Sequence, residues 1–82
     1  MKYHYVLEKA NSSKDKQSFL EFLKALRNDF LENRETWENI TIDDYLESIE
    51  RWIENYHNDD IDFEKPDWKT ISAMFYMGKL YE

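Results

Sequence analysis

The sequence predicts an all-α fold: a small three-helix domain over residues 11–82, with residues 1–10 as an extended arm. Three observations predict it. Apolar residues recur at helical spacing in three separate stretches. One Gly and one Pro in 82 residues are too few for a turn-rich all-β chain or a disordered one. Each stretch also has a capping residue near its head: Ser12, Thr41 and Asp67.

The middle stretch carries the clearest pattern. Ile42, Tyr45, Leu46, Ile49, Trp52, Ile53 and Tyr56 fall at i, i+3, i+4, i+7, i+10, i+11 and i+14, one stripe on a helix near Thr41–His57. Thr41 supplies the N-cap oxygen, Asp44 stands at capping-box spacing, and Asp43 and Asp44 suit the positive end of the helix dipole. Ile40, just before the cap, is placed to staple onto Tyr45. So dense a stripe predicts Leu46, Ile49, Trp52 and Ile53 at the centre of the core, with Tyr45 beside them.

The N-terminal residues alternate weakly through Tyr3, Tyr5 and Leu7. No second strand is in view to pair with them, hence an extended arm. His4 could serve a pH-sensitive or metal-binding role, but a lone imidazole reads as a surface or packing residue. Asn11-Ser12-Ser13 marks a break, and Ser12 with Asp15 has the spacing of a capping box. A helix near Ser13–Asn33 follows, with Phe19, Phe22, Leu23, Leu26 and Phe30 as its stripe and Leu20 and Leu31 widening it. Trp37, in the polar connection that follows, is either a lid over the end of the core or an exposed anchor. The lid is the favoured reading, because exposing Trp wastes area that a small core needs.

His57 to Pro66 is a candidate flexible segment rich in acids. It lacks the alternating oxygen ligands and the Gly of a calcium loop, so it reads as a solvated loop and no metal is expected. Pro66 and Asp67 open a helix near Asp67–Tyr81. Trp68, Ile71, Phe75 and Gly78 form one row, but Tyr76, Met77 and Leu80 point elsewhere. A helix apolar nearly all round is either central or partly exposed for another chain. Gly78 inside it calls for a close approach by another element.

Charge is distributed unevenly. The net charge is −7, yet residues 29–64 hold thirteen acids against Arg34 and Arg51, while the flanks are net basic. That region argues against nucleic acid or an anionic membrane as partner and favours a protein with a basic surface. Asp43, Glu47, Glu50 and Glu54, on the polar side of the middle helix, form the candidate partner-binding face; solvation of that face is the plainer alternative.

Catalysis finds no support. The chain has no Cys, and no phosphate loop, nucleophile elbow or zinc-protease motif. No cofactor is expected, and no apolar run resembles a signal peptide or membrane span, so a cytoplasmic protein is the expectation.

The run Trp37-Glu38-Asn39-Ile40-Thr41 into Tyr45-Leu46-Glu47, with Phe19, Phe22, Leu26, Trp52, Trp68 and a closing Tyr81-Glu82, resembles a family of short, mostly bacterial proteins catalogued only as a domain of unknown function. The resemblance runs from about Ser18 to Glu82 and implies a small helical domain, with no catalytic residue or partner to carry over. Three functions stay open: a protein-interaction module such as an immunity protein or inhibitor; an oligomerising subunit or regulator acting through its apolar last helix; and a ligand binder with an aromatic pocket among Trp37, Trp52 and Trp68. The expected core is Phe22, Leu26, Tyr45, Leu46, Ile49, Trp52, Ile53, Trp68, Ile71 and Phe75.

Overall fold

The computed structural model describes residues 2–81, with side chains from Tyr5 onward, so the reading of His4 lies outside the described side chains. Four α-helices follow one another: α1 (Lys2–Asn11), α2 (Lys16–Glu32), α3 (Ile42–Glu54) and α4 (Trp68–Leu80), with a 3-10 turn at Arg34–Thr36. Among the described residues there is no strand. The radius of gyration, 12.3 Å, is close to the ~12 Å of a compact chain of this length.

Residues 2–11 form a helix and not an extended arm. The alternating residues are not the buried ones: Tyr5 and Leu7 are exposed, whereas Val6 and Ala10 are buried. Those two lie at i and i+4, a helical pair, and they dock against Ala25 and Phe22 of α2 in one core. Ser13 ends α1 by donating to the Lys9 carbonyl at 3.0 Å. Its hydroxyl also accepts from Ser72 at 2.7 Å. The Asn11–Ser13 break therefore closes α1, and α2 starts three residues later than expected. Asp15, not Ser12, is its N-cap, in a reciprocal box with Ser18.

Thr41 and Asp67 cap α3 and α4 as the sequence predicts, accepting from the Asp44 and Thr70 N–H groups. Helix α4 is central: it packs against α1, α2 and α3. That answers why it is apolar nearly all round. Gly78 lies where α3 crosses it, and a Cβ there would stand 2.5 Å from Tyr45 Cε1 and 2.9 Å from Ile49 Cγ1.

The centre of the core differs from the expectation. Val6, Ala10, Phe22, Ala25, Leu26 and Tyr76 fill it, and they come from α1, α2 and α4. Helix α3 touches α4 alone among the helices. A stripe on a helix covered by one neighbour is buried along one edge only, so Tyr45, Ile49, Trp52 and Ile53 are half-buried and Leu46 stays 55% exposed. Trp68 likewise lies at the surface, packed on Phe19 at 5.3 Å, while Ile71 and Phe75 are half-buried.

Candidate functional site: a buried ion pair, an apolar groove and an acidic helix face

Asp29 faces into the protein from α2 and Lys79 from α4. Their side chains are each 1% exposed and meet at 2.7 Å. Trp37 donates its indole N–H to the same carboxylate at 2.8 Å, and Asn33 donates its amide at 3.1 Å. The Lys79 ammonium also lies 5.8 Å from the centre of the Trp37 ring. A buried ion pair is tolerated when further contacts satisfy it: here the carboxylate takes two more donors and the ammonium faces the Trp37 and Tyr76 rings. The cluster ties α2, the 3-10 turn and α4 together, and it makes Trp37 a lid.

The connection into α3 works as a clasp on the C-terminal end of α4. Glu38 donates its backbone N–H to the Lys79 carbonyl at 3.0 Å. Asn39 donates its amide to the Gly78 and Tyr81 carbonyls, both at 3.0 Å. Ser48 donates to the Met77 and Tyr81 carbonyls, and the Tyr45 hydroxyl to that of Phe75 at 2.7 Å. The bonds to Gly78 and Lys79 satisfy carbonyls that the end of a helix leaves without intrahelical partners, whereas Met77 also accepts from the Tyr81 N–H. Each of Trp37, Glu38, Asn39, Thr41 and Tyr45 thus has a structural role.

Two neighbours of those residues do not. Ile40 and Ile42 are 55% and 72% exposed, so Ile40 is not a buried staple. They edge a groove of about 470 Å3 between α2 and α3, lined also by Leu23, Leu26, Phe30, Trp37, Tyr45 and Phe75, with Arg27 on the α2 wall. Trp37 lies between Phe30, edge-on at 5.0 Å, and Tyr45, stacked at 6.0 Å. Burial pushes the Tyr45 hydroxyl well above the ordinary tyrosine pKa, so it stays protonated.

The predicted acidic face is real as a surface: Asp43, Glu47, Glu50 and Glu54 are all exposed. They recur at i, i+4, i+7 and i+11, so one row of α3 presents them together. Arg51 pairs with Glu47 at 3.1 Å in the same helix. Directly beside this row runs Ile42, Leu46, Ile49 and Ile53 at the same spacing, of which Ile42 and Leu46 are exposed and Ile49 and Ile53 half-buried.

The 57–66 segment is folded on a small aromatic cluster. Trp52, Tyr56 and Phe63 meet edge-to-face at 5.3–6.0 Å. Tyr56 donates to Asp60 at 2.7 Å, and Asp62 accepts from the Glu64 N–H. Among the described residues no group of three or more His, Asp or Glu side chains is placed to hold a metal ion. The three tryptophans sit in three different aromatic clusters, so the aromatic pocket considered above does not form.

Sequence reading found the acidic row but missed Asp29 and Lys79. The available signal was Asp29 on the apolar side of α2, one residue from Phe30, and Lys79 inside a helix apolar nearly all round. A charge on an apolar face needs a partner, and one of each sign was on offer.

Fold and site define a small four-helix domain that pairs a buried ion cluster with an open apolar groove. The chain belongs to DUF7660, a family of unknown function, whose model matches residues 15–82. The match excludes all of α1, although Val6 and Ala10 complete the core. No curated protein and no solved structure matches.

Proposed function

We propose that this domain is a non-catalytic protein-interaction module whose binding surface is the open side of α3 together with the groove it shares with α2. One observation carries the reading. Helix α3 sets an exposed apolar row, Ile42 and Leu46, beside an exposed acidic row, Asp43, Glu47, Glu50 and Glu54. Little in the fold uses these side chains beyond the Glu47–Arg51 pair. Apolar anchors bordered by charge are what a protein interface needs: the anchors supply affinity, and the charges steer encounter and select the partner's sign. The partner carries a basic surface, as an enzyme or toxin held inactive by an inhibitor of this kind would.

The test uses purified protein as bait in lysate of the source cell, followed by kinetics with whatever it captures. Changing Glu47, Glu50 and Glu54 to Gln leaves the melting curve nearly unchanged, because isolated surface charges contribute about 0–1 kcal/mol. The same change slows association about tenfold or more at low salt, and added salt narrows the difference. Association of the triple variant at the wild-type rate in low salt makes the acids mere solvation and sinks the reading.

A further inference from the structure

Along α2, Leu23, Leu26 and Phe30 line the groove at i, i+3 and i+7, and Arg27 stands among them at i+4. Arg27 is exposed, and among the described residues it is the one charged side chain in the lining. It belongs to none of the described ion pairs, which join Lys9 to Glu21, Arg51 to Glu47 and Lys79 to Asp29. The other polar groups of the lining are already engaged. Trp37 gives its indole N–H to Asp29, Asn39 its amide to Gly78 and Tyr81, and Tyr45 its hydroxyl to Phe75. Thr41 accepts from the Asp44 N–H. The groove therefore offers ring faces, branched alkyl groups and one free guanidinium.

We infer that the groove is a binding site for a small carboxylic acid, whose apolar body lies against Phe30, Trp37 and Ile40 and whose single carboxylate meets Arg27. Charge fixes the sign of the ligand. A lining with one unpaired cation and no acid favours an anion, and a second anionic group finds no donor there. The planar guanidinium takes a carboxylate bidentately. Size fixes its class. The groove holds about 470 Å3, within the ~300–1,000 Å3 of small-molecule sites. Its eleven lining residues fall short of the about 20–30 that each side of a stable protein interface contributes. The wall is also set by the fold, because Trp37 is clamped between Phe30 and Tyr45 with its N–H tied to Asp29. A preformed wall loses little binding energy to its own ordering. The net charge of −7 opposes an anion at long range. That repulsion is screened beyond about 10 Å at ~0.1 M salt, whereas contact with Arg27 is not. The site goes beyond the protein-interaction reading and does not rest on it, since the acidic row of α3 lies outside the lining.

Proton–nitrogen correlation NMR of the full chain tests this by titration with hydrocinnamate, an aryl carboxylate, and with its neutral amide, in ~0.1 M salt. The indole N–H signals separate specific from diffuse binding: Trp37 lines the groove, while Trp52 and Trp68 sit in other clusters. Hydrocinnamate shifts the Trp37 signal saturably, with a Kd below about 1 mM, and leaves Trp52 and Trp68 unmoved. The amide binds more weakly by about fivefold or more. Arg27→Gln, at an exposed position that leaves the core intact, weakens the carboxylate by the same factor and leaves the amide unchanged. Ile40→Asp, also at an exposed position, sets an acid at the groove's edge and weakens the carboxylate more than the amide. No saturable shift at Trp37, equal movement of all three indoles, or equal affinity of the wild-type protein for acid and amide overturns the site. So does an Arg27→Gln variant that keeps the preference for the acid. Partner capture and kinetics are read without the probe, so the proposed function and this inference fail separately.

Discussion

Removing the Lys79 ammonium is the sharpest probe of what holds this domain together. Lys79→Met keeps an unbranched stem of similar volume and leaves Asp29 buried without its cation, though still bonded to Trp37 and Asn33. Deleting one partner of a buried pair costs about 3–5 kcal/mol, and two surviving donors place this variant near the lower figure. Asp29→Asn is the reciprocal change. It leaves a buried ammonium with no anion and only ring faces nearby, and a cation–π contact recovers about 0.5–2 kcal/mol. That variant is therefore at least as damaged. A chain of 82 residues has about 4–12 kcal/mol of stability in total, so either change brings the domain close to unfolding. Asp29→Leu combined with Lys79→Met removes both charges, and replacing a buried pair by apolar side chains is often neutral. The orphaned Trp37 and Asn33 donors cost about 1–3 kcal/mol in return. The double variant is thus more stable than the sum of the single changes predicts, by about 2 kcal/mol or more. Urea melts followed by circular dichroism give all three values. Additive costs, or single changes costing under about 1 kcal/mol, refute the cluster as a coupled buried unit.

Four further outcomes follow from the same geometry. Gly78→Ala gains about 1 kcal/mol of helix propensity, but it drives a methyl into a Tyr45 ring pinned by its bond to Phe75 and its stack on Trp37. With overpacking at about 1–3 kcal/mol, a thermal melt shows a net loss of about 1 kcal/mol. Tyr45→Phe costs about 0.5–1.5 kcal/mol at neutral pH through the lost hydroxyl bond. Burial raises the folded pKa of Tyr45, so above pH ~10 the unfolded chain ionises first and wild-type stability falls. Alkaline melts of the Phe variant show a shallower slope.

Asp15 and Asp67 are held below the usual carboxylate pKa, first by the backbone N–H of Ser18 and Thr70. Their contribution is present above pH ~4 and is lost as pH falls through the lower folded value; Asp15→Asn with Asp67→Asn flattens that acid limb in pH-dependent melts. Trp52→Ala costs about 2 kcal/mol, below the 3–5 of a fully buried Trp. Its first effect is faster proteolysis within residues 57–66, because the ring supports Phe63 and not the central core.

The helical class, the capping of α3 and α4 and the close approach at Gly78 are legible in the sequence, whereas the central place of α4 is one of two readings that packing against α1, α2 and α3 decides. The legible features are local or one-dimensional facts: a 3.6-residue period, a side chain accepting from N–H groups three residues on, a missing Cβ. The acidic row of α3 is legible for the same reason. Which stripe is buried depends on how the helices pack together. Periodicity shows that a helix has an apolar face, but not how many neighbours cover it, so the strongest stripe, on α3, reads as central although α4 is the one helix that packs on it. The weak pattern of residues 2–11 had no such stripe, yet Val6 and Ala10 are buried because α2 and α4 lie against α1. The pairing of Asp29 with Lys79, fifty residues apart, and the groove between α2 and α3 belong to no single helix. They exist only where the chain brings separate faces together.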